Sequence, residues 1–386
     1  MSDLRRHIYL DNNATTRPFS EVTETVAYHL KHSFANPGSR HAPGRAARRV
    51  LEDSRESMAS ILSCQPDEVI FTSGGTESTN MAVFGLTGAK PGTILLTAGE
   101  HPATLESCRR LEKIGWKLHT LEVDSEGRLV PEQYDRFPWD ETKFVTLILA
   151  HNETGVIQDV GPLAERCRQR GLPFHLDAVQ AVGKIPVDFH DLGVASLCLG
   201  AHKFHGPRGI GALLLRDGMQ LEPLQFGGHQ EASRRPGTEP VALIAGMAKA
   251  LGIWNDNRDE RIRTITALRG RLQQGLSETC APVVVNGSRD HRLPNTLNIA
   301  FPGLDGEALL VSLDLEGIAC SLGSTCASGS AEPAPVLIAM NCPPEVSQSS
   351  VRFSVGPENS IAEIDEAVQR ISRVVLRLRQ TAEATV

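Results

Sequence analysis

The chain has 386 residues, 40% hydrophobic and 22% charged, with a formal net charge of −7. That is long for one core and ordinary for a soluble globular protein, so one large domain plus a smaller one is expected. The modest acidity and the lack of a long basic run argue against nucleic acid as a partner.

The opening "MSDLRRHIYLDNN" has only a short apolar run after its arginines, so no secretory signal is expected. The longest apolar stretch, "VALIAGMAKALGIW", contains a lysine and is too short for a membrane span. Eight scattered cysteines without a CxxC pair read as reduced thiols in a cytoplasmic protein.

Along the chain, "EVIFTS", "TILLTA", "FVTLILA", "FHLDAV", "ASLCLGA" and "IGALLLR" read as strands. Helical patterns such as "TESTNMAVFGL", "HPATLESCRRLEKIG" and "GPLAERCRQRG" separate the earlier ones. Continuous apolar strands alternating with helices predict a largely parallel sheet covered on both faces, an α/β domain. After about residue 255 the pattern changes to a long amphipathic helix, "NRDERIRTITALRGRLQQGLSE". The strands "TLNIAF", "GIACS" and "VRFSV" and a closing helix then predict a smaller α+β unit. The densest small-residue stretch, "SLGSTCASGSAEPAP", reads as a mobile loop.

Three features carry chemistry. "SGGTES" at 73–78 lies between a strand and a helix. Its glycines admit a ligand to the backbone, and Thr76 opens a helix N-terminus suited to phosphate; an ordinary capped helix is the structural alternative. Asp177 ends the apolar run "FHLD", where open α/β sheets bind ligands. It could hold a heterocyclic nitrogen protonated, or simply cap a helix or form a buried ion pair. Lys203, in "GAHKFHGPRG", sits in a frame of glycines past "ASLCLG". A partly desolvated lysine there has a lowered pKa and can form a Schiff base, whereas a lone loop lysine is usually just solvated. The three together match what pyridoxal phosphate requires for its phosphate, its ring nitrogen and its aldehyde. A metal site from His175, Asp177, His202 and His205 fits poorly, because no HExxH or paired-cysteine pattern supports it.

"YLDNNATT", "NPGSRH", "FTSGGTES", "EHPATL", "HNETGVIQD", "HLDAVQAVGK", "AHKFHGPRGIGAL", "RRPGTEPV", "SLGSTCASGS" and "SSVRFSVG" follow one another from residue 9 to 356. In this order they resemble the pyridoxal-phosphate-dependent cysteine desulfurases of the nitrogen-fixation and iron–sulfur-cluster type. The resemblance implies an aspartate-aminotransferase-like transferase of fold type I, working as a homodimer. The large cofactor domain is expected at 15–255. The small α+β domain is expected from 1–14 and 256–386, carrying a mobile cysteine loop at about 321–335.

It also implies roles. Lys203 would bind the cofactor covalently, Asp177 would face its ring nitrogen, Gln180 its phenolic oxygen, and His101 would stack on the ring. Gly75, Thr76 and His202 would hold the phosphate, joined by Thr238 from the other subunit. Asn152 and Arg352 would bind the substrate carboxylate, a task suited to arginine's fork. Cys326, in a run of small residues, would accept sulfur from L-cysteine as a persulfide and carry it to an acceptor or scaffold protein, with His101 moving a proton. Three departures are notable. Gly200 stands where a serine commonly helps hold phosphate, and His229 replaces a usual glycine. The ending "RVVLRLRQTAEATV" suggests no long scaffold-docking tail. Two alternatives remain: a selenocysteine lyase or cysteine/cystine C–S lyase, and a catalytically idle scaffold for cluster assembly.

Overall fold

The structure is a computed structural model that describes residues 7–322 and 333–383. The chain enters through a short strand, β1 (Ile8–Tyr9). Seven strands then build the main sheet: β2 (Val69–Thr72), β3 (Thr93–Thr97), β4 (Lys117–Leu121), β5 (Thr142–Ile148), β6 (Phe174–Asp177), β7 (Ser196–Gly200) and β8 (Gly211–Leu215). Their spatial order is β2-β8-β7-β6-β5-β3-β4. Strands β4, β3, β5, β6 and β7 run parallel, and only β8 is antiparallel to its neighbours β7 and β2. Every residue of β2, β3, β6, β7 and β8 is buried, as parallel strands covered on both faces require. The mostly parallel α/β sheet expected from the apolar runs is therefore present. Strand β4 lies outside the expected set: "KLHTL" is an edge strand with only Leu121 buried, and so carries no continuous apolar signal.

Beyond the sheet come β9 (Val284–Asn286), β10 (Thr296–Ala300), β11 (Ile318–Ala319), β12 (Ser321–Leu322) and β13 (Ser350–Ser354). Four of them form a second, antiparallel sheet in the order β12-β13-β10-β9, while β11 pairs in parallel with β1. Their core gathers Ile8 and Leu10 with Leu268, Leu272 and Leu276 of the helix Arg258–Thr279, and with Ile364, Ile371 and Val375 of the helix Ile361–Glu383. The amino-terminal segment thus packs with the carboxyl-terminal third of the chain. Residue Asp11 next bridges to Ser354 and the chain runs on into the main body.

One surface segment is held in an unusual backbone. Glu231, Ala232 and Ser233 have φ of 48°, 54° and 65° in succession, a left-handed run that costs non-glycine residues energy. Glu231 offsets this by burying its carboxylate against Arg55 of the helix Ala42–Ile61. Its oxygens lie 2.7 and 3.0 Å from the guanidinium, and one also accepts the Phe71 N–H at 3.0 Å. The two side chains are 8% and 1% exposed. The pair anchors the run leading to Thr238 against β2. His229 opens this turn at φ −92°, a conformation any residue adopts, so the usual glycine is not required there. Without Glu231 the buried guanidinium would keep only the half-buried Glu52, 3.1 Å from Arg55 Nε, and breaking a buried pair costs about 3–5 kcal/mol. Glu231→Ala should therefore lower the unfolding free energy by about that amount, measured by urea denaturation followed through tryptophan fluorescence. A loss below about 1 kcal/mol, the scale of an exposed pair, would show that the pair does not hold the segment.

Candidate active site

The carboxyl ends of β6 and β7 open into a cavity of about 400 Å³, within the range of small-molecule sites. It is lined by Gly75, Thr76, His101, Asn152, Asp177, Gln180, His202, Lys203 and Arg352, residues drawn from six separate stretches of chain. Thr238 is exposed and does not line this cavity. Cys326 and most of the 321–335 segment lie outside the described residues.

Lys203 closes the short turn after β7. Its Nζ donates to the carbonyl oxygens of Asn13 and Ala14 at 2.7 and 2.8 Å. Burial, and secondarily the Arg352 guanidinium, push the amine down to about 8, against the opposing pull of Asp177, Asp11 and Glu153. A fraction is therefore neutral and nucleophilic near neutral pH.

Asp177 is the last residue of β6, buried, with one oxygen accepting the Val179 N–H at 3.0 Å. Gln180 follows on the same turn. Its Nε2 donates to the Asn13 carbonyl at 2.9 Å, and its Oε1 accepts from Lys184. Lys184 is itself buried and donates to Asn13 Oδ1 at 2.8 Å; burial holds its amine well below the usual lysine range.

The helix Gly75–Leu86 starts at the cavity with no side chain capping it, which leaves its first N–H groups and positive end for a ligand. A side chain at position 75 would place its Cβ 2.6 Å from Val179 Cγ2, so only glycine lets this helix end lie directly beside the Asp177 turn. Position 200 differs: a Cβ there would meet Gly75 N at 3.5 Å, an ordinary contact, so Gly200 leaves room for a small side chain beside the same N–H.

His101 caps the helix Pro102–Glu112, its Nδ1 accepting from the Ala103 N–H at 3.1 Å. Desolvation lowers its pKa, and Lys203 adds to that while Asp177 opposes it. His202 Nδ1 lies 3.1 Å from Thr15 Oγ1, and burial together with Lys203 takes its pKa down to about 4. Both rings are uncharged at neutral pH.

At the far wall Arg352, in β13, donates to Glu153 Oε1 at 2.7 Å, to Asp11 Oδ1 at 2.9 Å and to the Asn152 carbonyl at 3.2 Å. Asn152 Nδ2 donates to the same Glu153 oxygen at 2.7 Å.

Asn13, Asp11, Glu153 and Lys184 join the site beyond the residues expected from sequence. Each stood inside a quoted motif ("LDNN", "HNETG", "AVGK"), which was the available signal. Among the described residues no group of three or more His, Cys, Asp or Glu is gathered in metal-binding geometry. His175 is fully buried beside Ser196, and His205 stacks on Phe19. The donor set instead fits a phosphorylated, carbonyl-bearing heterocycle. It supplies an uncapped helix end, a buried carboxylate and a depressed lysine amine around one cavity.

The aminotransferase class-V family matches residues 8–367, and the chain belongs to that family. It is 40% identical over 379 residues to the cysteine desulfurase IscS of Dictyoglomus turgidum, covering 97% of this chain and 96% of that one. The solved structure of a NifS-like protein matches with a TM-score of 0.90 at 33% identity, over 96% of this chain and all (100%) of that one. The structure of SspA in complex with cysteine matches with a TM-score of 0.80 at 28% identity, over 91% and 99% of the two chains. Within the family, the chain falls among the cysteine desulfurases.

The lowered pKa of Lys203 has a direct consequence. On protein stripped of carbonyl compounds, acylation of Lys203 by acetic anhydride, read by peptide mass spectrometry, should rise with pH through about 8 and level off above it. Exposed lysines should still be rising near pH 10. A Lys203 profile coincident with the exposed lysines would refute the buried, charge-suppressed amine.

Proposed function

We propose that this protein binds pyridoxal phosphate, takes sulfur from L-cysteine with release of L-alanine, and carries the sulfur as a persulfide on Cys326 to an acceptor in iron–sulfur-cluster or other thio-cofactor assembly. One observation carries the reading. The depressed amine of Lys203, the carboxylate of Asp177 and the uncapped helix end at Gly75 and Thr76 face the same cavity. When bound, pyridoxal phosphate supplies an aldehyde that captures the substrate amine and a ring that draws electrons from Cα.

The chain's own residues do the rest. Gly75, Thr76 and His202 would hold the phosphate, Asp177 would face the ring nitrogen, Gln180 the ring hydroxyl, and His101 the ring face, all from the lining of one cavity. Asn152 and Arg352 take the substrate carboxylate. The free amine of Lys203 is basic enough to take a proton from Cα and weak enough to give it up again near pH 8. The uncharged His101 can hold and return a proton beside it. The thiolate of Cys326 attacks the substrate sulfur, and an S–S bond forms on the enzyme as the Cβ–S bond breaks. The broken bond's electron pair stays with the carbon skeleton, and Cβ takes up a proton to become the methyl group of L-alanine.

A homodimer is part of this reading, with Thr238 reaching the partner's phosphate. The exposure of Thr238 outside its own cavity supports it, as do exposed Phe34 and Phe226 at 78% and 89%. A cytoplasmic setting is supported by the cysteine usage; among the described residues no helix is long and apolar enough to cross a membrane.

The test is alanine and sulfide production from cysteine by the purified protein supplied with pyridoxal phosphate. Lys203→Ala should lose both the cofactor absorption band and alanine formation. Cys326→Ala should keep the band while sulfur transfer falls at least about a hundredfold, the loss expected when a nucleophile is removed. Wild-type sulfide release by Cys326→Ala would instead identify a C–S lyase, and a protein that stays colourless with cofactor supplied would identify an idle scaffold. Gly200→Ser, which the space at that position admits, should slow cofactor loss by about tenfold, the worth of one added hydrogen bond. Dissociation is followed by absorbance after gel filtration, and faster loss than wild type would contradict that arrangement.

A further inference from the structure

Glu153 lies in the loop after β5 and forms part of the cavity wall. Its Oε1 accepts from Asn152 Nδ2 and from Arg352 Nη1, both at 2.7 Å. Those are the two side chains that the proposed function assigns to the substrate's carboxylate. A protein carboxylate therefore already sits on the donors that an incoming carboxylate needs. Its second oxygen, Oε2, is buried without a hydrogen-bond partner among the described residues.

The charges around Glu153 come from several elements. Arg352 projects from β13 and Asp11 from the segment after β1, the two joined at 2.9 Å. The Lys203 amine acts from β7's end of the cavity. His151, whose Nδ1 accepts the Glu153 N–H, and Asn298 of β10, which donates to the Glu153 carbonyl, pack behind it. One guanidinium is thus shared by two carboxylates. A third carboxylate arriving from substrate would add like charge in a desolvated place, which disfavours keeping all three ionised.

We propose that Glu153 is a resting-state stand-in for the substrate's carboxylate: substrate binds by displacing it from Asn152 and Arg352, and Glu153 takes up a proton from solvent as it gives way. Glu153 then keeps Arg352 and Asn152 oriented when the site has no substrate, and it filters ligands. An amine or thiol without a carboxylate cannot displace it and gains nothing from Arg352. The direction of its acidity agrees, since burial raises the Glu153 pKa and Asp11 adds to this, while Arg352 opposes it. The unpartnered Oε2 is the atom on which the proton would rest.

This inference rests on Arg352 binding the substrate carboxylate, so the experiment separates the two claims. Binding of L-alanine and of L-alaninol, which lacks the carboxylate, is measured by calorimetry on the cofactor-loaded protein at pH 7.5. Buffers of different ionisation enthalpy give the proton count. Wild type should take up close to one proton more per site with L-alanine than with L-alaninol. In Glu153→Gln that difference should vanish. L-alanine should bind about tenfold tighter, the effect of one unit of differential protonation, with L-alaninol unchanged. Equal proton counts for the two ligands in wild type would overturn the proposal, even if Glu153→Gln did not fold. Unchanged or weaker L-alanine binding by a folded Glu153→Gln would overturn it as well. Arg352→Ala is the separate arm: if it still prefers L-alanine to L-alaninol as wild type does, the assignment of Arg352 itself is wrong.

Discussion

The amine of Lys203 is buried deeply enough to lose its charge near pH 8, yet it is held in place by the carbonyl oxygens of Asn13 and Ala14. That combination depends on a segment more than a hundred residues away in sequence arriving underneath it. Asn13 does more than accept from the lysine. Its N–H meets Ser354 and its side-chain amide meets Asn152 and Thr296. Its side-chain oxygen receives Lys184 and Asn295, and its carbonyl also receives Gln180. A buried polar group that is fully satisfied in this way is rigid, because moving it would orphan several partners at once. Through this one residue the main sheet, the second sheet and the reactive lysine share a single geometry.

Charge in the cavity follows the same plan. Arg352 comes from the second sheet, but its field lowers the pKa of Lys203 at the end of the main sheet. Lys184, below them, is driven towards its neutral form by burial and by both of these cations. Three basic groups so close together can exist only because desolvation removes charge from the lysines and because Asp11 and Glu153 meet the guanidinium. The reactivity of the lysine is therefore a property of how the two sheets are placed against each other as much as of its own turn. A change in that placement would alter the nucleophile without touching it.

Much of this was legible in the sequence. The apolar runs of β2, β3, β5, β6, β7 and β8 announced a parallel sheet because strands buried on both faces leave no polar alternation. Asp177 and Lys203 stood at the ends of such runs, where α/β sheets present their ligand sites. The edge strand β4 and the partners Asn13, Asp11, Glu153 and Lys184 were not legible in the same way. An edge strand has one wet face and so mimics a loop. A buried asparagine or glutamate looks like any surface polar residue until its partners are known. Glu153 beside Asn152 is the plainest example: nothing in "HNETG" says that one side chain occupies the hydrogen bonds of the other.

The sequence by itself determined the α/β class, the family, and the residue types of the reactive set, because periodicity and short motifs are local properties of the chain. Only the tertiary structure decided that Lys203 sits on the carbonyls of residues 13 and 14, and that Arg352 acts on it from a different sheet. It also decided that the Glu153 carboxylate rests on Asn152 and Arg352. Acidity and hydrogen-bond competition depend on distance and desolvation in space, and separation along the chain records neither.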